Sequence, residues 1–278
     1  MRVVVVTDST CDLGTSAARR LRLGVVPLRL TRVGGGRVSP DDPEAVYAHQ
    51  RAGGLVTTAP PDTATFAERY ARALRSYDAV LSVHLSRGLS QTVARAREAA
   101  APFGDRVRVV DSGVASVALA EAALRARAAL DAGGSLDTAE AAVVQTGAQG
   151  LTLFTVPSLN HLRLGGRLGR LAHLVGTVLD VRPVLGFGDG RLRPLRRVRT
   201  DQALAEMLLT LEDRYGAEPL HLTVAHAGAD PARLLELRAA ALRSRLRVVG
   251  GRAQLIGGVI GAHVGPGMYA LGACPADL

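Results

Sequence analysis

The feature that most limits the possible folds is an alternation of short aliphatic runs with longer helical segments in residues 1–150. The four-valine run Val3–Val6 has the length and composition of a strand that is buried on both faces of a parallel sheet. The runs Ala79–Val83 and Val107–Val110 have the same character, and each is followed by a helical segment. Because parallel strands are joined by crossovers that are usually helices, this alternation predicts βαβ units around a parallel sheet.

The pattern changes in the second half of the chain. Two β runs, Pro183–Phe187 and Leu192–Val198, flank Gly188–Gly190, and an Asp-Gly pair between such runs is a strong signal for a hairpin. Helical and β segments follow without a long linker. The sequence therefore predicts an α/β fold of two domains. The first, residues 1–150, is a Rossmann-like parallel-sheet domain, and the second, residues 151–278, is an α+β domain.

The charge balance is strongly basic. The formal net charge is +9, and every basic residue is arginine. A basic chain can bind nucleic acid or another acidic partner. The arginines are scattered, however, with the densest stretches at 163–170 and 191–199, and aromatic residues make up only 3% of the chain. Because RNA-binding modules stack bases on aromatic side chains, the composition favours a general bias towards arginine, and we expect no nucleic-acid partner.

The cysteines and the apolar runs limit the location of the protein. Cys11 and Cys274 lie near opposite ends of the chain and match no metal-binding or redox spacing. No apolar run approaches the ~20 residues that a membrane-spanning helix needs. The N-terminus lacks the apolar core and cleavage site of a signal peptide. We therefore expect a cytoplasmic protein with no metal, no cofactor and no integral membrane association.

Four polar segments stand where a strand ends or a loop turns, namely Thr7–Thr10, Thr57–Pro61, Ser86–Thr92 and His263–Gly267. Ligands of open α/β sheets bind beyond the carboxyl ends of the strands, where the first and third segments are expected. The hydroxyls and free N–H groups of the third segment can hold an anion, or Ser90 can simply cap a helix. The second segment can be a plain turn. The glycines of the fourth can hold a tight loop that aims His263 at a ligand.

These segments, taken in order along the chain, resemble the DegV family. The match begins with Thr-Asp-Ser-Thr-x-Asp-Leu at Thr7–Leu13 and ends with His-Val-Gly-Pro-Gly at His263–Gly267. Each match is weak alone, but their common order across nearly the whole chain is specific. The matches between them are Thr57–Pro61, Leu85–Thr92, Val110–Ser112, Leu164–Leu168, Val181–Leu185, Asp189–Gly190, Arg197–Thr200, Ala225–Ala227 and Ile260–Ala262.

The resemblance implies a binding protein without catalytic residues, in which one fatty acid is buried at the junction of two α/β domains. The acyl tail fills an apolar tunnel, and hydroxyls and a histidine hold the carboxylate. Carried over to this chain, the carboxylate-binding residues are Thr57, Thr58, Ser86, Arg87, Ser90 and His263. Two of the family's positions differ here, since Arg87 replaces a serine and Ala59 a glutamine. Arg87 can supply a charge-assisted hydrogen bond, or it can point to solvent.

The resemblance also implies a protein partner. Members of the family present the bound acid to a separate fatty acid kinase, which makes an acyl phosphate for phospholipid synthesis. Arg167 and Arg199 lie in the most basic stretches and match arginines of the family. They are candidates for docking this kinase, and the alternative is a solvated surface without a partner.

A serine-dependent acyl hydrolase is the main alternative function. It would use Ser86 or Ser90 with His263, and it would need a carboxylate to orient the histidine. Asp8 is the candidate for that carboxylate. The chain contains no Gly-x-Ser-x-Gly motif, which marks the nucleophile of many such enzymes.

Overall fold

The computed structural model describes residues 1–167, 180–228 and 230–277, so Leu168 and Arg170 of the predicted motif and basic stretch lie outside the described residues. The strands are β1 (Val3–Asp8), β2 (Leu23–Val26), β3 (Arg29–Arg32), β4 (Arg37–Val38), β5 (Val56–Ala59), β6 (Ala79–His84), β7 (Val107–Asp111), β8 (Leu151–Thr155), β9 (Val181–Gly188), β10 (Arg191–Arg199), β11 (Pro219–His226), β12 (Arg247–Leu255) and β13 (Tyr269–Pro275). The helices are α1 (Thr15–Arg20), α2 (Pro43–Arg51), α3 (Thr63–Ala73), α4 (Thr92–Ala100), α5 (Val117–Asp131), α6 (Leu136–Gln149), α7 (Asn160–Leu164), α8 (Ala203–Tyr215), α9 (Pro231–Arg243) and α10 (Gly258–Val264).

The predicted parallel sheet is confirmed. Its strand order is β2-β1-β6-β7, and every neighbouring pair is parallel. The valines of β1 show why the run is aliphatic throughout. Val3 and Val5 belong to the core beneath α5 and α6, whereas Val4 and Val6 belong to the core on the opposite face, beneath α3 and α4. Because successive side chains of a strand point to opposite faces, a sheet that is covered on both faces needs apolar residues at every position.

A small antiparallel sheet, of order β4-β3-β5, corrects two expectations from the sequence. Gly24–Leu30, which reads as one strand, is divided between β2 in the parallel sheet and β3 in the small sheet. Pro27 lies at the break, where it cannot continue a hydrogen-bonded ladder. Thr57 and Thr58 lie in β5 and not in a turn. Their side chains therefore point to opposite faces, with Thr57 exposed and Thr58 half-buried.

The third sheet contains the strands from Leu151 onward, in the order β10-β9-β8-β13-β11-β12. Only the β11–β12 pair is parallel among these described strands. The predicted hairpin is confirmed, since β9 and β10 pair around Gly188–Gly190. Met207 and Leu211 of α8 and Leu237 of α9 are fully buried in the core of this sheet. This sheet and the parallel sheet confirm the predicted α/β class with a separate C-terminal sheet, and the predicted division at 150/151 falls between α6 and β8.

His263 lies in the last turn of a helix, α10, and the glycines that follow it, within Gly265–Gly267, form the expected tight turn. The helix packs against α2, α7 and β5. Glycine makes this packing possible because a Cβ at Gly261 would lie 2.7 Å from the hydroxyl of Tyr47 on α2. The Tyr47 hydroxyl in turn donates a hydrogen bond of 2.7 Å to the carbonyl of Ile256. The helix is thereby held at a fixed depth between the small sheet and the C-terminal sheet.

An ion-pair network joins α5 to the C-terminal sheet. Glu121 is buried and accepts hydrogen bonds from Arg125 at 2.9 Å and from Arg252 of β12 at 2.8 Å. Arg125 also donates to the carbonyl of Pro275 at 2.6 Å. Burial alone would raise the pKa of Glu121, but the neighbouring guanidinium groups outweigh it and the pKa is lowered. Glu121 and its two arginine partners therefore remain charged, and their ion pairs fix the parallel-sheet domain relative to the C-terminal sheet.

Two absences concern the described part of the chain only. Within residues 1–167, 180–228 and 230–277, no helix is both long enough and apolar enough to cross a membrane. The same ranges contain no group of acidic, histidine and cysteine side chains arranged to hold a metal ion. Cys11 and Cys274 are free and buried.

Candidate functional site

A largely apolar cavity lies where the carboxyl ends of β1 and β6 face α10 and the C-terminal sheet. The space between its lining atoms, counted together with the part that opens to solvent, is about 760 Å³. Its apolar wall consists of Leu28, Pro60, Leu85, Leu89, Ala115, Phe154, Leu162, Phe187, Leu192, Val259, Ile260, Val264, Met268 and Ala270. The polar residues that line it are Thr10, Thr58, Ser90, Ser116, Thr152, Arg167 and His263. The expectation of a crevice beyond the ends of these strands is met, since Thr10 follows β1 and Ser90 follows β6.

Four of the polar residues can donate hydrogen bonds to a ligand and are called here the polar cluster: Thr58, Ser90, Arg167 and His263. A hydrogen bond of 2.8 Å joins Thr58 Oγ1 to His263 Nε2. The hydroxyl of Ser90 lies 2.8 Å from that of Thr92 and accepts from the Thr92 backbone N–H at 3.3 Å. Ser90 thus binds one free N–H of the first turn of α4, but the N-cap residue is Gln91.

His263 occupies the last turn of α10, where the packing of that helix aims it at the cavity. Its Nδ1 atom is shielded from solvent and has no hydrogen-bond partner among the described residues. The ring lies against Gly165, where any Cβ would overlap Nδ1. This contact explains why glycine follows α7 at that position. A buried polar atom without a partner costs free energy, so the unpartnered Nδ1 indicates a ligand group that the protein alone does not supply.

The charge state of the polar cluster follows from its burial. Burial lowers the pKa of His263 to about 4, and the positive charge of Arg167 lowers it further. The imidazole is therefore neutral at pH 7, and one of its nitrogens carries a proton. Arg167 supplies the positive charge, because a guanidinium group keeps its proton even where burial lowers its pKa. It donates hydrogen bonds to the carbonyls of Leu89 at 3.3 Å and Gly165 at 2.6 Å.

Three of the six predicted carboxylate-binding residues, Thr57, Ser86 and Arg87, do not line the cavity. Thr57 donates to the carbonyl of Thr31 at 3.2 Å on the exposed face of β5. The Ser86 hydroxyl donates to the carbonyl of Gly190 at 2.6 Å and thereby holds the β9–β10 hairpin against the first domain. The side chain of Arg87 is 77% exposed and lies 3.5 Å from the carboxylate of Asp111. Of the two alternatives for Arg87, the structure has the side chain in solvent.

The two arginines predicted to dock a partner have different surroundings. Arg167 is half-buried and belongs to the polar cluster. The side chain of Arg199 is 67% exposed at the end of β10 and lies 3.3 Å from the carboxylate of Asp201. Sequence reasoning placed both on a basic surface, since it could not separate a cavity arginine from a solvated one. Their role in docking stays a prediction.

The carboxylate required for the hydrolase alternative is engaged elsewhere. Asp8 accepts hydrogen bonds from His84 Nδ1 at 2.9 Å, from the N–H of Leu85 at 3.1 Å and from the N–H of Thr10 at 3.0 Å. Asp8 therefore orients His84 and not His263. The predicted triad does not form in the described structure, and the hydrolase alternative finds no support.

Sequence reasoning also missed Asp12, which holds the base of α10. The buried Asp12 carboxylate accepts hydrogen bonds from the hydroxyl of Ser116 and, at 2.9 Å, from the N–H of Gly257. Burial raises its pKa to about 8, although these two hydrogen bonds oppose the shift. The signal was present, because Asp12 is the second aspartate of the motif at Thr7–Leu13, but its partner lies 245 residues away.

A family model described as "uncharacterised protein, DegV family" matches residues 2–276. The chain belongs to the DegV family. A DegV domain-containing protein of Streptomyces coelicolor is 40% identical over 282 residues, which cover 96% of each chain. A protein of Thermotoga maritima named fatty acid-binding protein is 31% identical, with 98% of this chain and 97% of that protein covered.

The fold of the DegV chain agrees with solved structures of the family. A DegV family protein from Thermus thermophilus, whose structure is described as showing fatty acid binding, superposes with a TM-score of 0.91. It is 34% identical, and the match covers 99% of this chain and 100% of that one. The family predicted from the ordered motifs is thereby confirmed, and its characterised members are named for binding and not for catalysis.

Proposed function

We propose that this DegV protein binds one long-chain fatty acid, with the acyl tail in the cavity and the carboxylate at the polar cluster. The observation that carries the proposal is an apolar cavity with a neutral histidine, two hydroxyls and an arginine in its wall. These side chains offer hydrogen-bond donors and one positive charge, which suits a single carboxylate. The fatty acid binding described for relatives of similar length and fold supports the same assignment.

The energetics of a buried tail agree with tight binding. At ~0.8 kcal/mol per methylene, burial of about fourteen methylenes contributes roughly 11 kcal/mol. Association opposes this with a cost on the order of 4–15 kcal/mol. Because the gain from the tail lies within the range of this cost, the head-group contacts decide between weak and tight binding. Burying a carboxylate costs free energy unless hydrogen-bond donors replace its water. The donors in the cavity wall supply these hydrogen bonds.

The contacts within the polar cluster support a position for the head group. Thr58 and His263 Nε2 share one proton between them, which leaves Nδ1 or the Thr58 hydroxyl to meet a carboxylate oxygen. Arg167 stabilises the negative charge across a short distance, since its charge already lowers the pKa of His263. Binding of the anion will therefore raise the pKa of His263, because a nearby negative charge favours the imidazolium form.

The wider role that we propose is delivery. The protein acts as the non-catalytic binding partner of a fatty acid kinase and presents the carboxylate for acyl phosphate formation in phospholipid synthesis. In this role Arg199, which is exposed at the end of β10, contacts the kinase, whereas Arg167 acts on the ligand. Reversal of the charge at Arg199 should lower the rate of acyl phosphate formation while leaving fatty acid affinity unchanged.

The binding proposal is tested by extracting the purified protein with organic solvent and identifying acyl species by mass spectrometry. Titration of delipidated protein with palmitate then measures affinity for three proteins: the natural chain, Thr58→Ala and Thr57→Ala. These neighbouring threonines form a matched pair, since only Thr58 lines the cavity. We expect Thr58→Ala to lose about tenfold in affinity and Thr57→Ala to lose almost none. Absence of both extracted lipid and palmitate uptake in the natural chain would contradict the proposal.

A further inference from the structure

Strand β8 serves as a reference for the two ends of the cavity. Leu162 and Arg167, which line it, come from the segment that follows the carboxyl end of β8, and His263 contacts Gly165 in that segment. Thr152, which also lines it, lies three residues before the last residue of the strand, Thr155. At ~3.3 Å per residue this separation is about 10 Å. The polar cluster therefore lies towards the carboxyl end of β8, whereas Thr152 lies towards the other end of the cavity.

A second cleft lies beyond the Thr152 end. Its lining is more polar than that of the cavity and includes Asp111, Asp189 and Arg214. It contains about 1280 Å³ of space and opens to solvent. Two residues, Thr152 and Phe187, line both the cavity and this cleft. Among the described residues, these are the two that the linings of both spaces have in common.

The pairing of β8 with β9 brings these two residues side by side. Leu153 pairs with Gly186, so the same antiparallel register sets Thr152 next to Phe187. The Phe187 ring lies 6.4 Å from that of Phe154, which lines the cavity one step nearer the polar cluster. Of the shared pair, Phe187 has the larger side chain and supplies most of the partition.

We infer that Phe187 closes the far end of the cavity and sets the longest acyl chain that the protein binds. This inference rests on the proposed fatty acid binding and adds the residue that selects among fatty acids by length. A tail gains affinity with each methylene that it buries, until its terminal methyl group meets the Phe187 ring. A longer tail must then either bend within the cavity or displace the ring, and both lower its affinity.

Truncation of Phe187 tests the inference. Delipidated natural chain and Phe187→Ala are titrated with saturated fatty acids from about 12 to about 24 carbons, whose affinity should rise about fourfold per buried methylene up to the limit. In the natural chain we expect a sharp fall beyond one length. In Phe187→Ala the cavity joins the polar cleft, so the fall should move to longer acids, and the first acid excluded by the natural chain should gain at least about tenfold in affinity.

Leu192→Ala is the matched control. Leu192 pairs with Phe187 across the β9–β10 hairpin and lines the cavity, but it does not line the second cleft. This variant should keep the natural length limit. Phe187→Leu, a milder change, should move the limit in the same direction and replaces Phe187→Ala if thermal melting shows that the alanine variant does not fold.

The outcomes separate the two proposals. An unchanged length limit in folded Phe187 variants overturns the inference and leaves fatty acid binding intact. An equal shift in Leu192→Ala also overturns it, because total cavity volume and not the partition would then set the limit. If the natural chain binds no fatty acid of any length, the proposed function fails, and the inference fails with it.

Discussion

Two clusters in this protein contain the same side-chain types, a histidine with hydroxyl partners, yet they differ in what they can bind. In the parallel sheet, hydrogen bonds connect Tyr70, Ser82, His84 and Asp8 in series, with separations of 2.8, 2.7 and 2.9 Å. The side chains of Asp8 and His84 are completely buried. This sheet cluster resembles a serine–histidine–aspartate triad in its order of contacts, but it does not line the cavity.

The polar cluster of the cavity is incomplete by comparison. Within the part of the chain that the structure describes, His263 has one hydrogen-bond partner, Thr58, and its second ring nitrogen has none. Both ring nitrogens of His84 are bonded, and the ring also packs edge-on against Phe66 at 5.1 Å. The difference teaches that residue types do not define a binding site. A site needs a polar atom that the protein leaves unpaired and a space beside it that a ligand can fill.

The comparison predicts its largest effect in the sheet cluster. Asp8→Ala removes the acceptor for His84, Thr10 and Leu85 and leaves these donors buried without a partner. We expect a loss of about 3–5 kcal/mol in the free energy of unfolding, measured by urea denaturation. A loss below about 1 kcal/mol would show that the sheet cluster does not hold the fold and would reopen a functional role for it.

In the polar cluster the corresponding change should alter binding more than stability. His263→Gln should lower palmitate affinity by about 10- to 100-fold, the range expected for a lost hydrogen bond to a charged group. The control is His226→Gln, since His226 also has an unpartnered Nδ1 but does not line the cavity. Equal losses in both variants would mean that an unpaired imidazole nitrogen is not a marker of the site.

Gly165→Ala tests the role of His263 without replacing the histidine itself. The backbone of Gly165 has φ −73°, which alanine adopts without strain, but the added methyl group overlaps His263 Nδ1. The displaced ring should cost about tenfold in palmitate affinity. In the double variant with His263→Gln, the glycine change should add little more, since its effect acts through the ring. Full additivity of the two losses would contradict this mechanism.

The smallest expected effect is a pH dependence of stability without ligand. Folding lowers the pKa of His263 to about 4 from its unfolded value of about 6.5, so the unfolded chain binds the proton more readily. The stability that a neutral His263 contributes is thus present above pH ~6.5 and is lost as the pH falls towards 4. Between pH ~6.5 and ~5.5 the natural chain should lose roughly 1 kcal/mol relative to His263→Gln, measured by denaturation at each pH. Parallel pH profiles would indicate that His263 is solvated.

Much of the fold followed from local pattern. The aliphatic runs, the helices between them and the Asp-Gly hairpin depend on the period of apolar residues and on turn chemistry, both of which act over a few residues. The family followed from the order of short motifs, because many weak matches in one order are specific. The errors arose where local pattern competes with packing. Pro27 divides one apolar run between two sheets, and His263 belongs to a helix, α10, that Gly261 allows to approach Tyr47, although the glycines after it form the expected turn.

The sequence by itself determined the family, the fold class and three side chains that meet at the cavity: Thr58, Ser90 and His263. Only the tertiary structure decided that Arg167 joins them while Thr57, Ser86 and Arg87 do not. Strand alternation sends Thr57 outward, the β9–β10 hairpin occupies the hydroxyl of Ser86, and Arg87 extends into solvent. These outcomes depend on which segments, distant along the chain, contact each side chain in the folded protein. The contact of Ser86 with Gly190, for example, joins residues 104 positions apart, and no local pattern encodes it.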